Sequence, residues 1–325
     1  MKAVVRSKYG SPDHLKIQEV EKPSPGNNEV LIRVNATTVN RTDCGILWGN
    51  PFIIRFFIGL LKPKYPFTGT DFAGTIESVG KNVKGFKAGD RVWGFTDNAS
   101  GTHAQYIKIS EDKALAIIPD NINYEQAAAS AEGAHYAYNC IKKAKLSKGQ
   151  NVLVYGATGA IGTAAVQILK YLEAIVTAVC NTKNMDLMKS LGADKVVDYT
   201  KDDFTKDDQK YHFVLDAVGK STFAKCKPLL HAGGIYISTD LGPMAQNIFL
   251  PLITPLIGNK KVIFPIPGDV RGSILFIKDL LQKEKFKPVI DRKYPFEKIA
   301  DAFKFVATGQ KTGNVVINWE DDINS

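Results

Sequence analysis

Over residues 1 to about 120, apolar and polar positions alternate in short runs separated by glycine and proline turns. The runs are KAVVR at 2–6, EVLIRVNATTVN at 29–40, FAGTIESVG at 72–80, DRVWGF at 90–95 and HAQYIKI at 103–109. A period of two is the mark of half-buried strands. From about residue 123 the pattern changes to apolar runs alternating with amphipathic stretches of helical period. Strands are predicted at 151–155, 174–180, 195–199, 212–217, 234–238 and near 261–264, with helices between them and an Ala-rich helix at 125–144 leading in. Strand and helix in regular turn imply a parallel sheet covered by helices on both faces. After about residue 285 come a strand-like PVIDRKYPF, an amphipathic PFEKIADAFKFVATG and a closing strand NVVINW. The predicted architecture is α/β: a mostly-β domain over 1–122 completed by 285–325, and a doubly wound parallel sheet over 123–284.

Two apolar stretches stand apart. PFIIRFFIGLLKPKYP carries Arg55 and is bounded by prolines, and NIFLPLITPLIG contains two prolines. Both fall short of the roughly twenty apolar residues that a membrane-spanning helix needs. They read as walls of an apolar pocket or as a subunit contact, which 243–257 would suit.

The first chemistry lies in NVLVYGATGAIG, residues 151–162. A β-branched run leads into glycines and then into an Ala- and Val-rich helical pattern. In that context Ala157-x-Gly159-x-x-Gly162, with Thr158, Ala160 and Ile161 between, reads as a dinucleotide-binding turn; a plain strand-to-helix turn is the alternative. Gly159 would let the backbone approach a pyrophosphate and Gly162 would let helix and strand pack closely. The N–H groups at the helix start would hold the diphosphate. The next strand, AIVTAVC, ends on Cys180, with Asn181, Thr182 and Lys183 following. A site for NAD places an acid there to hold the ribose hydroxyl. Here Lys183 can pair with a 2′-phosphate and Thr182 can donate to it, so NADPH is the expected cofactor; a solvated Lys183 is the alternative. The fourth strand runs into Ala217, Val218 and Gly219, and the fifth into Ser238 and Thr239, all at carboxyl ends where such sheets bind ligands.

Charge and cysteine content refine the picture. The chain of 325 residues carries 42 Lys and Arg against 33 Asp and Glu, a net charge of +9. Its lysines are dispersed among acids, without a dense basic run interleaved with aromatics. That argues against a specific nucleic-acid partner and leaves at most a peripheral membrane contact. Cys44, Cys140, Cys180 and Cys226 are scattered, with no C-x-x-C pair, and KAVVR follows Met1 directly. Reduced thiols and a cytoplasmic location are the expectation.

Longer motifs then carry a resemblance. EVLIRVNATTVNRTD, GTDFAGTIESVGKNVKGFKAGDRVWG, the glycine turn, LGADKVVDY and the closing PVIDRKYPFEKIADAF with G-x-x-x-G-x-VV occur in order along nearly the whole chain. Together they resemble the medium-chain dehydrogenase/reductase superfamily, in its zinc-free quinone-reductase-like branch. The resemblance implies a GroES-like β domain built from both chain ends, a Rossmann domain, an active site in the cleft between them, and a homodimer. It also implies that Tyr199 flanks the 2′-phosphate, and that Asn314 stands where relatives often carry a cofactor-contacting Lys.

Zinc-dependent relatives place a Cys where Asn40 stands and Gly-His-Glu where this chain has Gly69-Thr70-Asp71. Glu132 falls at or near the third ligand position. Catalytic zinc takes three protein ligands, mostly imidazole or thiolate, so no metal is expected. The four-cysteine lobe of those relatives is also missing from GDRVWGFTDNASGTHAQY. Without a Lewis acid, the expected chemistry is hydride transfer from NADPH to an acceptor that is already electron-poor, a quinone or an α,β-unsaturated carbonyl. Asn40 is a candidate donor to the acceptor oxygen, or a local cap. Tyr136 is a second donor, or core packing. Glu132 is a candidate proton source, or a surface acid. His135 could relay a proton, and Asp43 and Asp71 would hold loop geometry. The alternatives left open are an enoyl-thioester reductase, a non-catalytic NADPH-binding sensor or scaffold, and a zinc alcohol dehydrogenase.

Overall fold

The computed structural model describes residues 1–96 and 101–319. The chain forms two compact units, Met1–Glu132 with the segment from Val270 onward, and Gly133–Asp269. In the first unit β1 (Lys2–Arg6) and β2 (Leu15–Glu19) form a hairpin sheet. Next come β3 (Glu29–Val39), α1 (Arg41–Trp48), α2 (Arg55–Ile58), β4 (Asp71–Val79), β5 (Arg91–Phe95), β6 (Tyr106–Ser110), β7 (Leu115–Ile117) and α3 (Tyr124–Ala128). Residues 97–100 of the GDRVWGFTDNASGTHAQY stretch lie outside the described residues. The second unit holds α4 (Glu132–Ala144, whose first residue belongs to the first unit), β8 (Asn151–Tyr155), α5 (Ala160–Tyr171), β9 (Ile175–Cys180), α6 (Met185–Ser190) and β10 (Lys195–Asp198). It continues through β11 (Tyr211–Asp216), α7 (Phe223–Cys226), β12 (Leu230–Ser238), α8 (Gln246–Ile257) and β13 (Lys261–Ile263). The chain then returns to the first unit with α9 (Val270–Gln282), β14 (Ile290–Pro295), α10 (Ile299–Ala307) and β15 (Asn314–Asn318).

The first unit's main sheet runs β14-β15-β3-β4-β5-β7, with β6 also pairing β3. The tail enters it because β15 carries a continuous buried apolar run, Val315 to Ile317, beside β3, with Val315 opposite Val39. Above that pair α10 buries Ile299, Ala302, Phe303 and Val306, one stripe at helical spacing, against Leu47, Val4 and Ile317. This packing carries the loop before β15 to the end of β3, where Asn40 begins α1.

The predicted Ala-rich helix at 125–144 is two helices. Asn123 caps α3, accepting from the Gln126 N–H at 2.8 Å while the Gln126 carboxamide accepts from the Asn123 N–H at 3.1 Å. The chain restarts at Glu132, whose N–H donates to Asp71 Oδ1 at 3.1 Å. A carboxyl group at a helix N-terminus complements the dipole, so Asp71 caps the restart at Glu132.

In the second unit the strands lie in the order β10-β9-β8-β11-β12-β13, all pairs parallel. Counted from β8 this is 3-2-1-4-5-6, the doubly wound order that binds dinucleotides where the order reverses, here between β8 and β11. The NIFLPLITPLIG stretch forms most of α8, which buries Asn247 and Thr254 and leaves Phe249, Leu252 and Leu256 exposed. Among the described residues no helix is long and apolar enough to cross a membrane.

Candidate active site

In the second unit the turn after β8 divides its work among three glycines. Gly156 adopts φ +75°, a left-handed conformation that favours glycine, and a Cβ there would lie 2.7 Å from Val218 Cβ. A Cβ on Gly162 would overlap the Gly156 carbonyl and come within 2.6 Å of Ala157 Cα, so α5 packs on its turn only through glycine. Gly159 is different: a Cβ there would have no neighbour closer than 3.8 Å. Gly159 is also the N-cap of α5, and no side chain caps that terminus. The open face and the free helix end fit a diphosphate. Ala157 and Ala160 are buried beneath the turn, and Thr158 and Ile161 are half-buried.

The remaining cofactor candidates of this unit gather at the carboxyl ends of the parallel strands. Lys183 is exposed after β9, and Tyr199, half-exposed, follows β10 with its N–H on the Cys180 carbonyl at 2.9 Å. Asn181 accepts from Asn184 Nδ2 at 2.7 Å. Thr182 differs from its sequence reading. Its hydroxyl donates to Asp198 at 2.5 Å, because β10 runs beside β9 with Asp198 opposite Cys180. A carboxylate from the neighbouring strand therefore stands near this site and takes the Thr182 proton. Thr200 donates twice to the same Asp198 group, and those hydrogen bonds hold its pKa below the usual carboxylate value. Lys183 and Lys201 are both exposed here, with Lys201 Nζ 4.0 Å from Asp198.

Ala217 and Val218 follow β11, where buried Asp216 fixes the turn. It accepts from the N–H groups of Val218, Gly219 and Ser221 at 3.2, 2.8 and 2.9 Å and from the Tyr236 hydroxyl at 3.2 Å. Ser238 is buried and accepts from the Asp240 N–H at 3.3 Å; the Thr239 N–H donates to the Asp216 carbonyl at 3.0 Å. Tyr136 is half-buried on α4, edge-on to His135 at 5.3 Å. His135 is buried, and Asn139 Nδ2 lies 3.2 Å from its Nδ1.

The first unit assembles a buried charge cluster. Asn40, Asp43, Asp71 and Glu132 come together from the end of β3, α1, the start of β4 and the start of α4, all nearly inaccessible. Thr38 donates to Asp71 Oδ2 at 2.5 Å, and the Asn40 N–H donates to Asp43 Oδ2 at 2.8 Å. Asn40 Nδ2 donates to Thr38 Oγ1 at 2.9 Å and reaches Asp71 Oδ2 at 3.4 Å. Its amide nitrogen thus faces partners inside the protein, Thr38 and Asp71.

The cation of the cluster is Lys311, which the sequence reading did not single out. Its Nζ donates to Asn40 Oδ1 at 3.1 Å and to the Gly313 carbonyl at 2.5 Å. Asn314, the residue expected at the cofactor, is instead buried in β15, with Nδ2 on the Val289 carbonyl at 3.1 Å. The register of β15 on β3 explains why the lysine three residues earlier reaches Asn40. Burial pushes the Asp43 and Asp71 carboxyls well above their ordinary values, and neighbouring Glu132 adds to the effect. Burial also raises Glu132, opposed by hydrogen bonds from Thr42 and Asn40 and by Lys311. Burial lowers Lys311 to about 8, with Glu132 pulling it back up. The groups influence one another, and burial shifts each carboxyl toward its protonated form. One Glu132 oxygen, Oε2, is buried with no partner, and the half-buried Thr42 hydroxyl is hydrogen-bonded to the same carboxyl.

These residues fit a zinc ion poorly. Asn40 offers an amide oxygen already held by an ammonium group, and Thr70 offers a hydroxyl where imidazole or thiolate is the usual ligand. Among the described residues, no group of three or more His, Cys, Asp or Glu side chains is placed to hold a metal.

A doubly wound unit with a glycine turn at a helix N-terminus, and a β unit with a buried acid cluster, are the parts of a two-unit nicotinamide-dependent oxidoreductase. Family models agree: the alcohol dehydrogenase GroES-like domain matches residues 26–120, and the zinc-binding dehydrogenase model matches residues 191–317. The chain is 33% identical over 331 residues to a 2-methylene-furan-3-one reductase of Solanum lycopersicum, covering 98% of this chain and 79% of that protein. It is 32% identical to a chloroplastic quinone-oxidoreductase homolog of Spinacia oleracea, covering 98% of each. The quinone oxidoreductase of Coxiella burnetii superposes with a TM-score of 0.86 at 22% identity, over 98% of this chain and 99% of that one. The Escherichia coli quinone oxidoreductase complexed with NADPH gives 0.83 at 23% identity, over 98% and 100%. At those identities the two structures speak for the fold. The chain belongs to the medium-chain dehydrogenase/reductase superfamily, in its zinc-free quinone-oxidoreductase-like branch. It is an oxidoreductase.

Proposed function

We propose that this protein is an NADPH-dependent reductase that adds a hydride and a proton to quinones or α,β-unsaturated carbonyls without a metal ion. The observation that carries the reading is the Lys311 ammonium group, 3.1 Å from Asn40 Oδ1 amid three buried carboxyls. That arrangement stores protons where a metal-dependent relative would hold a cation. NADPH supplies the hydride when bound. The Gly159 turn and the α5 terminus would hold its diphosphate, and Lys183 with Tyr199 its 2′-phosphate.

The proton comes from the chain. Glu132 is protonated more readily than an ordinary glutamate because it is buried. Its proton passes to the Thr42 hydroxyl, and the hydroxyl's own proton passes to the reduced acceptor. Lys311 and Asn40 hold the carboxyl in place during the transfer. The acceptor gains two electrons and the chain loses one proton, which solvent restores. Positioned acid groups of this kind contribute roughly 10²–10⁴-fold in rate.

Cofactor choice is tested at Lys183. Lys183→Glu should weaken NADPH binding about fiftyfold or more and leave NADH binding within about threefold, since only the 2′-phosphate meets the reversed charge. Fluorescence titration of both cofactors reads the ratio. Equal losses for the two would remove Lys183 from the phosphate site and the preference for NADPH with it.

A further inference from the structure

Between Asp43 and Asp71 the chain contains no acidic residue, yet it carries Arg55, Lys62 and Lys64. In the same stretch Phe52, Ile53, Phe56, Phe57, Leu60 and Leu61 are all exposed, Phe57 at 78% and Leu61 at 90%. The backbone beneath them is firmly tied. The Tyr9 hydroxyl donates to the Gly59 carbonyl at 2.6 Å, and the Lys64 N–H donates to the Ile58 carbonyl at 2.7 Å. Arg55 donates to the Gly49 and Trp48 carbonyls at 3.0 and 3.1 Å while lying 4.6 Å over the Tyr9 ring. Phe52 and Phe56 stand edge to face at 5.9 Å. Polar groups thus serve as inward anchors, and the large apolar side chains face out.

A clustered apolar surface on a fixed scaffold marks an interaction site. We propose that residues 52–65 are a docking surface for an anionic lipid bilayer. The Phe and Leu side chains enter the boundary between headgroups and acyl chains, and exposed Lys62 and Lys64 pair with lipid phosphates. Charge decides the occupant. A second copy of this surface would bring Lys62 and Lys64 against the same lysines with no acid in either segment, whereas an anionic headgroup layer neutralises them. The wall of a buried pocket would not leave Leu61 almost wholly in water.

The test is cosedimentation of the full chain with phosphatidylcholine vesicles, with and without phosphatidylglycerol. Binding should be at least about tenfold stronger with phosphatidylglycerol and should weaken with added salt. Phe57→Ser/Leu61→Ser should lower the partition coefficient at least about tenfold. Lys62→Glu/Lys64→Glu should abolish the preference for phosphatidylglycerol. Both variants should melt at the wild-type temperature, since these side chains are exposed. Failure of the wild-type chain to bind, or equal binding by either double variant, would overturn the proposal. So would conversion of a dimer to a monomer by Phe57→Ser/Leu61→Ser in sedimentation velocity, which would assign the surface to a second copy.

Discussion

Gly159→Val is expected to fold like the parent protein and bind NADPH about a hundredfold more weakly, a loss of about 2.7 kcal/mol. The backbone at Gly159 has φ −72° and ψ 174°, which any residue adopts, and a Cβ there meets nothing within 3.8 Å except the Gly156 carbonyl. Replacing an N-cap glycine costs less than about 1 kcal/mol of fold stability. The added branches instead fill the space through which a diphosphate reaches the α5 N-terminus. Gly162→Ala should do the reverse. Its single methyl would overlap the Gly156 carbonyl and press on Ala157, which requires the turn and helix to separate. That should cost about 2–3 kcal/mol of stability. Calorimetric melting and cofactor titration, run on both variants, separate the two roles. A stable Gly162→Ala variant, or a Gly159→Val variant with parental affinity, would mean that the turn does not hold the cofactor as described.

Lys311→Met should lower both turnover and stability. The ammonium group donates to Asn40 Oδ1 and the Gly313 carbonyl, and leaving such buried acceptors unpaired typically costs about 1–3 kcal/mol. The cost should depend on pH in a definite direction. A carboxyl whose folded pKa is raised contributes stability that is fully present below its unfolded value near 4 and is lost as pH rises through the folded value. Without Lys311 that loss deepens, so the gap between variant and parent should widen from about pH 4 to pH 7. Turnover should fall roughly a hundredfold; the parental rate should decline above about pH 8, where Lys311 loses its proton, and the variant's profile should lack that decline. A variant with the parental pH–rate profile would leave Lys311 with a purely structural role.

The parallel unit was legible because each of its signals is local. The run of Val152, Leu153 and Val154, the glycines after it and the helix that follows are contiguous in sequence, and the strand order builds on that unit. The strands of the mostly-β unit were legible from their alternation, but its bounds were not: it runs to Glu132 and resumes at Val270 rather than ending at 122 and resuming at 285, because α9 joins it. The cluster was less legible. Asn40, Asp71 and Glu132 stood out through motif positions, but Lys311 lies in a polar loop, GQKTG, with no periodic signal of its own. Its place is fixed by the pairing of Val315 with Val39, 276 residues apart in the chain, and by the packing of α10 over that pair. The Thr182–Asp198 hydrogen bond was hidden for the same reason, since it depends on which strand lies beside β9. The break at 129–131 was also hidden: alanine-rich sequence favours continued helix, and the restart is governed by a carboxyl on β4.

The most direct measurement is NADPH oxidation by purified, chelator-treated protein presented with an ortho-quinone, a para-quinone, a medium-chain 2-alkenal and an enoyl thioester, with NADH as the cofactor control. The expected result is turnover of a quinone or the alkenal that prefers NADPH and is unchanged by chelation. Activity that vanishes on chelation and returns with zinc would contradict the metal-free proton-storing site, and NADPH binding without oxidation by any acceptor would contradict the reductase itself.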